Sequence, residues 1–360
     1  MIGFCFAILS LSLLVQLYFW LVQYDVIARS TTHQQDQDHS AILPTVSLVI
    51  AVKNEDDNIR ANMSSWIDQD YPGLDIIIID DHSTDATWQI LQSISHQRLR
   101  CLRSPDTAHG KKAALDYAIS KSTSDWIVTT DADCQPRSAG WISSLINSRR
   151  DADMIIGYSP YMRSTGWVSL LVSYEAWYVA IQYISALLMG RPYMSVGRNL
   201  AFKKELFVAV GGYKSHQEIL SGDDDLFLQE AKKSGKITYT IDPSTWVWTK
   251  TPRNLKNYIQ QKRRHLTTAP RYEVRDQIVL FMTFLSQLLF YVSIGVLSFT
   301  YPWILSLLVL RYAWISWVAR RSQKHLFLPV KWWTAPIMDL CLCLFYLVMS
   351  TRMTKTSTRW

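Results

Sequence analysis

The sequence has no C-x-x-C pair and only five cysteines: Cys5, Cys101, Cys134, Cys341 and Cys343. That argues against a disulfide scaffold or a zinc site and for reduced thiols. There is no internal repeat and no low-complexity basic tract. The net charge of +7 therefore does not by itself select nucleic acid, anionic lipid or a polyphosphate ligand. The first apolar run, Ile2 to Val22, contains no charged residue. It also lacks a basic flank ahead of it and a small-x-small cleavage site. Those absences disfavour a cleaved signal peptide and favour an anchor long enough to span a bilayer.

What is present is apolar and aromatic. The chain is 49% hydrophobic, with 15 Trp and 18 Tyr, which suits a protein that touches a membrane. After a polar, aperiodic stretch (Arg29 to Pro44) the pattern alternates. Val46 to Val52, Leu74 to Asp81 and the Trp126-Ile127-Val128 run read as buried strands. Between them lie helix-like segments: one with Ile59, Met63, Trp66 and Ile67 on one face, one with Ser83 as its N-cap, and one opening at Gly110-Lys111. Repeated β-α alternation with continuously apolar strands predicts an α/β fold with a mainly parallel sheet covered on both faces. In such sheets ligands sit beyond the carboxyl ends of the strands. Thr165 to Gly190 is a long apolar segment interrupted by Glu175 and Gln182, read as a helix at the interface or against the α/β domain. Two further spans, Gln277 to Phe299 and Tyr301 to Val318, precede the basic loop Ala319 to His325. A third apolar segment, Ala335 to Ser350, contains Pro336 and Asp339. It either spans or dips and returns, and the basic tail favours the dip. The resulting division is an anchor at 1–24, a linker at 25–43, an α/β domain at 44–275, a membrane region at 276–350 and a tail at 351–360.

Five polar clusters could carry chemistry, each with a plainer alternative. Asp80 and Asp81 end a strand, where they could accept from a nucleoside; equally, Ser83 or Asp85 caps a helix and the acids are solvated. Lys111 at a helix start suits a phosphate, or is one of many surface lysines. Asp131 and Asp133 flank one alanine at a strand end. Hard cations such as Mg²⁺ or Mn²⁺ favour such oxygen ligands, and solvated loop acids are the alternative. Cys134 reads as a small packed side chain, with a soft metal ligand as the other option. Asp223, Asp224 and Asp225 open a helix, either as partners of its dipole or as a source of a general base. The segment Asn257 to Thr268 is strongly basic, as expected near anionic lipid, but this does not explain Gln261 or His265.

In order, "VSLVIAVKNE", "IIIIDDHSTD", "GKKAAL", "DAD", "GDDDL" and "QKRRH" resemble the motifs of membrane-bound family 2 glycosyltransferases. That family includes cellulose and hyaluronan synthases and ceramide glucosyltransferase. The resemblance implies a Rossmann-like GT-A fold over 44–275 and an inverting, metal-dependent transfer. The donor would be a nucleotide-sugar, and the acceptor a hydroxyl of a lipid, a lipid-linked sugar or a polysaccharide. It implies donor contacts from Asp80, Asp81, Lys111, Asp131, Gln261, Arg264 and His265. It further implies Mg²⁺ or Mn²⁺ at Asp131 and Asp133, and Asp224 as base with Asp223 beside it. His265 stands where the family usually has Trp, which bears on the acceptor. The membrane part is short for a polymer-exporting synthase. The implied setting is a multi-pass protein of the bacterial inner membrane with a cytoplasmic catalytic domain, bound to membrane lipid and not to nucleic acid. The alternative is a non-catalytic nucleotide-sugar-binding subunit of a polysaccharide synthase complex.

Overall fold

The computed structural model describes residues 2–29, 43–252, 254–328 and 331–351. Most of the expected linker (30–42) and of the basic tail (352–360) lies outside the described residues, as does Arg253 of the basic segment.

Nine strands form among the described residues: β1 (Val46–Val52), β2 (Leu74–Asp80), β3 (Leu99–Arg103), β4 (Trp126–Thr129), β5 (Cys134–Pro136), β6 (Met154–Gly157), β7 (Leu200–Lys203), β8 (Ile237–Thr240) and β9 (Val247–Thr249). The main sheet has the order β3-β2-β1-β4-β7-β6-β8, and β5 pairs with β9 in a small second sheet. All neighbours in the main sheet are parallel except those of β7, which runs against both β4 and β6. β1 is buried at all seven positions, because helices cover both faces and leave no polar side to solvate. Strand order reverses between β1 and β4, and that switch point is where a crevice opens.

The helices of the α/β domain are α3 (Asp56–Ile67), α4 (Thr87–Ser93), α5 (Lys111–Lys121), α6 (Trp141–Asn147), α8 (Lys204–Ala209), α9 (Asp225–Ala231) and α10 (Leu255–Leu266). Ser83 does not cap α4, contrary to expectation. The helix starts four residues later, at Thr87, whose N–H is met by Asp85 Oδ1 at 2.9 Å. Ser83 Oγ instead accepts from Asn54 N–H at 2.9 Å, tying the β2 exit to the β1 exit.

A second set of helices is apolar: α1 (Ile2–Leu17) continuing through a π-helical turn to α2 (Val26–Arg29), α7 (Trp167–Leu188), α11 (Val274–Leu297), α12 (Leu305–Ser322) and α13 (Ala335–Thr351). Among the described residues four segments, Ile2–Arg29, Val274–Leu297, Pro302–Ser322 and Trp332–Ser350, are long and apolar enough to cross a membrane. The last is one continuous helix, so the expected dip and return is not formed; Pro336 falls in its first turn, where proline breaks no hydrogen bond. α7 packs against α2, α13 and β8, with Trp177 Nε1 donating to Ser322 Oγ at 3.1 Å. Inside the bundle Arg311 pairs with Asp339 at 2.7 Å. Arg311 also donates to Gln16 Oε1 at 2.9 Å, and Tyr291 OH donates to Asp339 at 2.7 Å. These polar groups join α1, α11, α12 and α13, since a charge away from water needs a partner.

One close approach locks the crevice wall. Asn199 is fully buried. Its amide donates to Tyr158 O and Thr245 O, both at 2.8 Å, and accepts from Trp141 Nε1 at 3.1 Å. A Cβ at Gly157 would overlap that amide. Gly157→Ala should therefore destabilise the fold by roughly 3 kcal/mol through strain and lost buried hydrogen bonds. Thermal unfolding in detergent measures this, and an unchanged midpoint would contradict it.

Candidate functional site

Four chain segments converge at the crevice. β1 delivers Lys53 and Glu55, β4 delivers Asp131 and Asp133, and the loop before α9 delivers Asp223 and Asp224. β7 is reversed, so its beginning, not its end, faces the site. That places Gly197 and Arg198 beside the end of β4, where Thr129 Oγ1 and Thr130 Oγ1 donate to the carbonyls of Gly197 and Arg198 at 2.8 and 2.9 Å.

Lys111, the first residue of α5, is the hub. Gly110 precedes it at φ +93°, a conformation that favours glycine. Lys111 Nζ lies 2.8 Å from Asp131 Oδ1 and 2.7 Å from Asp223 Oδ2. Burial alone would lower the lysine; the two carboxylates override it and hold it charged, well above its usual range. For Asp131 burial works upward, but Lys111, Arg198 and Arg264 outweigh it and the group is lowered. Asp133 is raised, by burial first and then by the charge of Asp131. Its oxygens meet Cys134 Sγ at 3.2 Å and Thr249 Oγ1 at 3.4 Å, Thr249 being brought there by the β5–β9 pairing. Asp131, Asp133 and Cys134 have ligand atoms within 4.8 Å of one another. Two carboxylates of unlike protonation preference, pulled together at a crevice, suit a divalent cation.

Asp224 stands beside this group. Its Oδ2 accepts from Gly197 N–H at 2.8 Å and its Oδ1 from Asp225 N–H at 2.7 Å. A Cβ on Gly197 would come within 3.3 Å of the Asp224 side chain, so the glycine permits this approach. Burial, then the charge of Asp223, pushes Asp224 up to about 6. Asp225 also lines the cavity, and its Oδ2 accepts from Tyr272 OH at 2.6 Å. Burial and the charge of Asp224 raise it well above the carboxylate range, which makes it a neutral structural group.

α10 closes one side with Gln261, Lys262, Arg264 and His265. Burial, with Lys262 and Arg264 next, holds His265 well below its usual value, so it faces the cavity as a neutral ring. Lys262 Nζ pairs with Glu175 Oε1 of α7 at 2.6 Å, and Tyr346 OH of α13 donates to the same oxygen at 2.7 Å.

Asp80 and Asp81 are not brought into the cavity lining. Both are fully buried. Asp80 lies 3.6 Å from Arg103 and accepts from Ser83 N–H. Asp81 accepts from Gly110 N–H at 3.2 Å and pairs with Lys53 at 3.1 Å. Asp81 thus ties together the loops that carry Lys111 and Lys53, and Asp80 braces the turn after β2. Sequence reasoning missed Arg198, whose guanidinium donates to Ser159 Oγ at 2.8 Å and lies over the Tyr161 ring. No spacing marks it. Glu175 had a signal, a lone acid within an apolar helix, but no assigned partner.

The cavity holding these groups has a volume of about 740 Å³. It runs without interruption from Asp131 and Asp133 past Asp224 and His265. It then continues between α7, α11 and α13, where Val179, Leu280, Phe284 and Met349 line it.

A family model described as Glycosyl transferase family 2 matches residues 47–210. One relative, the UDP-Glc:alpha-D-GlcNAc-diphosphoundecaprenol beta-1,3-glucosyltransferase WfaP of Escherichia coli, is 32% identical over 104 residues, covering 29% of this chain and 39% of its own length. A beta-monoglucosyldiacylglycerol synthase of Nostoc is 34% identical over 118 residues, 31% of this chain and 25% of its own length. The chain thus spans well under half the length of these two relatives. A mannosyltransferase of Pyrobaculum calidifontis, PcManGT, solved with GDP-Man and Mn²⁺, superposes over 96% of this chain and 99% of its own. The TM-score is 0.62 and the identity 15%, a likeness of fold, and that fold is GT-A.

Proposed function

We propose, from the premise that this chain carries a glycosyl transferase family 2 domain, that it is an enzyme of a membrane surface. It would move a sugar from a nucleotide-sugar to a hydroxyl of a lipid or lipid-linked acceptor, with inversion at the anomeric carbon. The observation that carries this reading is the uninterrupted cavity, acidic at one end and apolar where membrane helices line it. Such a shape suits a water-soluble donor meeting a membrane-borne acceptor.

Each lining group then has a task. Asp224 takes the proton of the acceptor hydroxyl as that oxygen attacks the anomeric carbon. The bond to the departing diphosphate breaks on the opposite side, so one displacement inverts the centre. Arg198 and Arg264, fixed cations beside Asp131, receive the negative charge of the leaving group. Lys111 holds Asp131 and Asp223 in register. Asp81 acts at one remove, through Lys53 and the Gly110 turn. A divalent cation, Mg²⁺ or Mn²⁺, held by Asp131 and Asp133 would supply further charge neutralisation at the diphosphate.

The catalytic side would be cytoplasmic. Tyr158, which follows β6 in the α/β domain, donates from its OH to the Phe327 carbonyl at 2.9 Å, two residues after the basic loop. The basic loop Ala319 to His325 therefore shares the α/β domain's side of the bundle, and basic loops favour the cytoplasm. Two relatives whose printed names state lipid or lipid-linked acceptors suit a membrane setting.

The direct test screens nucleotide-sugars for Mn²⁺- or Mg²⁺-dependent release of nucleoside diphosphate by the detergent-purified chain. Absence of release with every donor, even with membrane lipid added, rejects the reading. The pH profile gives a second check. A base must be deprotonated, and burial lifts Asp224 to about 6. Activity should rise about tenfold per unit below that value and level off above it. His265, held low and neutral, adds no step there. A profile flat down to about pH 5 would exclude Asp224 as the base.

A further inference from the structure

We infer that the acceptor is a lipid with an uncharged, hydroxyl-bearing head, and not one linked through a diphosphate; this rests on the transferase reading above. Five cations line the cavity among the described residues: Lys53, Lys111, Arg198, Lys262 and Arg264. Lys53 is paired with Asp81, Lys111 with Asp131 and Asp223, and Lys262 with Glu175. Arg198 and Arg264 remain, and both act on Asp131, at the end where the donor diphosphate belongs. One diphosphate uses them.

The arm beyond Asp224 has a different character. Its uncharged polar groups include Ser195, Thr268, Tyr272, Gln182, Thr283 and Gln287. Ser195 Oγ and Gln261 Oε1 are buried with no hydrogen-bond partner among the described residues, and each suits a sugar or glycerol hydroxyl. Among the described residues the arm's one cation, Lys262, is paired with Glu175 at 2.6 Å, and the acid Asp225 in its wall accepts from Tyr272 OH. A second diphosphate placed one sugar away from Asp224 would sit among apolar walls with no unpaired cation, an arrangement that is strongly unfavourable.

The arm also opens sideways. Phe281 of α11 lines it and is 55% exposed, and Ser350 of α13 lines it and is exposed as well. Ile278 and Met282 flank Phe281 and face outward too. A hydrocarbon chain entering between α11 and α13 would keep its tail in lipid while its head reaches Asp224.

The test uses the detergent-purified full chain and the donor found active in the screen. Three acceptors are compared: a diacylglycerol, a monoglycosyl diacylglycerol, and a sugar linked to a polyprenyl diphosphate. At least one neutral lipid should raise nucleoside diphosphate release tenfold or more above the lipid-free rate and yield an uncharged glycolipid. The diphosphate-linked sugar should leave the rate within twofold of background. Phe284→Trp, which fills the arm, should raise the KM for the neutral lipid at least tenfold. Equal or better use of the diphosphate-linked sugar overturns the inference. So does slow donor hydrolysis that no lipid accelerates, although the transferase reading then survives. No release from any donor removes that reading itself.

Discussion

Asp224→Asn should lower kcat by roughly a thousandfold, within the range for loss of a general base, while the KM for the donor changes little. Asparagine keeps the shape of the side chain but cannot take a proton. Its single carbonyl oxygen can satisfy only one of the two backbone donors, Gly197 N–H and Asp225 N–H. The loss of one hydrogen bond is offset in part by removing a buried charge beside Asp223 and Asp225. Thermal stability should therefore stay close to wild type, which separates a catalytic defect from an unfolded one. Steady-state release of nucleoside diphosphate together with donor binding by calorimetry gives the answer. Retained turnover would move the base elsewhere, with Asp223 next in line, and would favour the alternative of a binding subunit if wild type were equally slow.

Asp133→Ala should abolish metal-dependent turnover, with a loss of about a thousandfold or more, equal to several kcal/mol of charge stabilisation at the transition state. Chelation of the wild-type protein should have the same effect, reversed by Mn²⁺ or Mg²⁺ in the wild type and not in the variant. Without added metal the variant should be no less stable than wild type. Burial and the adjacent Asp131 already push Asp133 up, so in the metal-free state its carboxyl is a strained neighbour. Thermal unfolding with and without Mn²⁺ checks this directly. Metal should raise the wild-type midpoint and leave that of Asp133→Ala where it was. Full activity after exhaustive chelation would remove the metal from the proposal and leave Arg198 and Arg264 to carry the diphosphate charge alone.

Several features were legible from residue order because they depend on neighbours in the chain. Apolar periodicity marked β1, β2, β4 and the membrane helices, since burial on both faces admits only apolar residues. Asp131, Asp133 and Asp224 stood out as acids immediately following an apolar strand or opening a helix. Lys111 was visible as a cation at a helix start, though not that it would bind Asp131 and Asp223 at once. Other readings failed where a nearby residue had more than one option. Ser83 had the right chemistry to cap a helix, but Asn54, on a loop 29 residues earlier, took its oxygen. Asp80 and Asp81 stood out as acids at a strand end, and residue order did not reveal their internal partners Ser83, Gly110 and Lys53.

The α/β character, the membrane-length helices and the acidic clusters at strand ends follow from local periodicity and side-chain type, and so are written in residue order. Tertiary structure alone decided what those clusters face. The reversal of β7 placed Arg198 beside the acids, and sheet order is a property of long-range pairing that no local pattern encodes. The seating of α10 against α7 and α13 joined Lys262, Glu175 and Tyr346 across 171 residues of chain. It also turned an acid within an apolar helix into a neutralised wall. The cavity that joins acidic crevice to membrane helices exists only once those distant segments pack, because its shape is the space they leave unfilled.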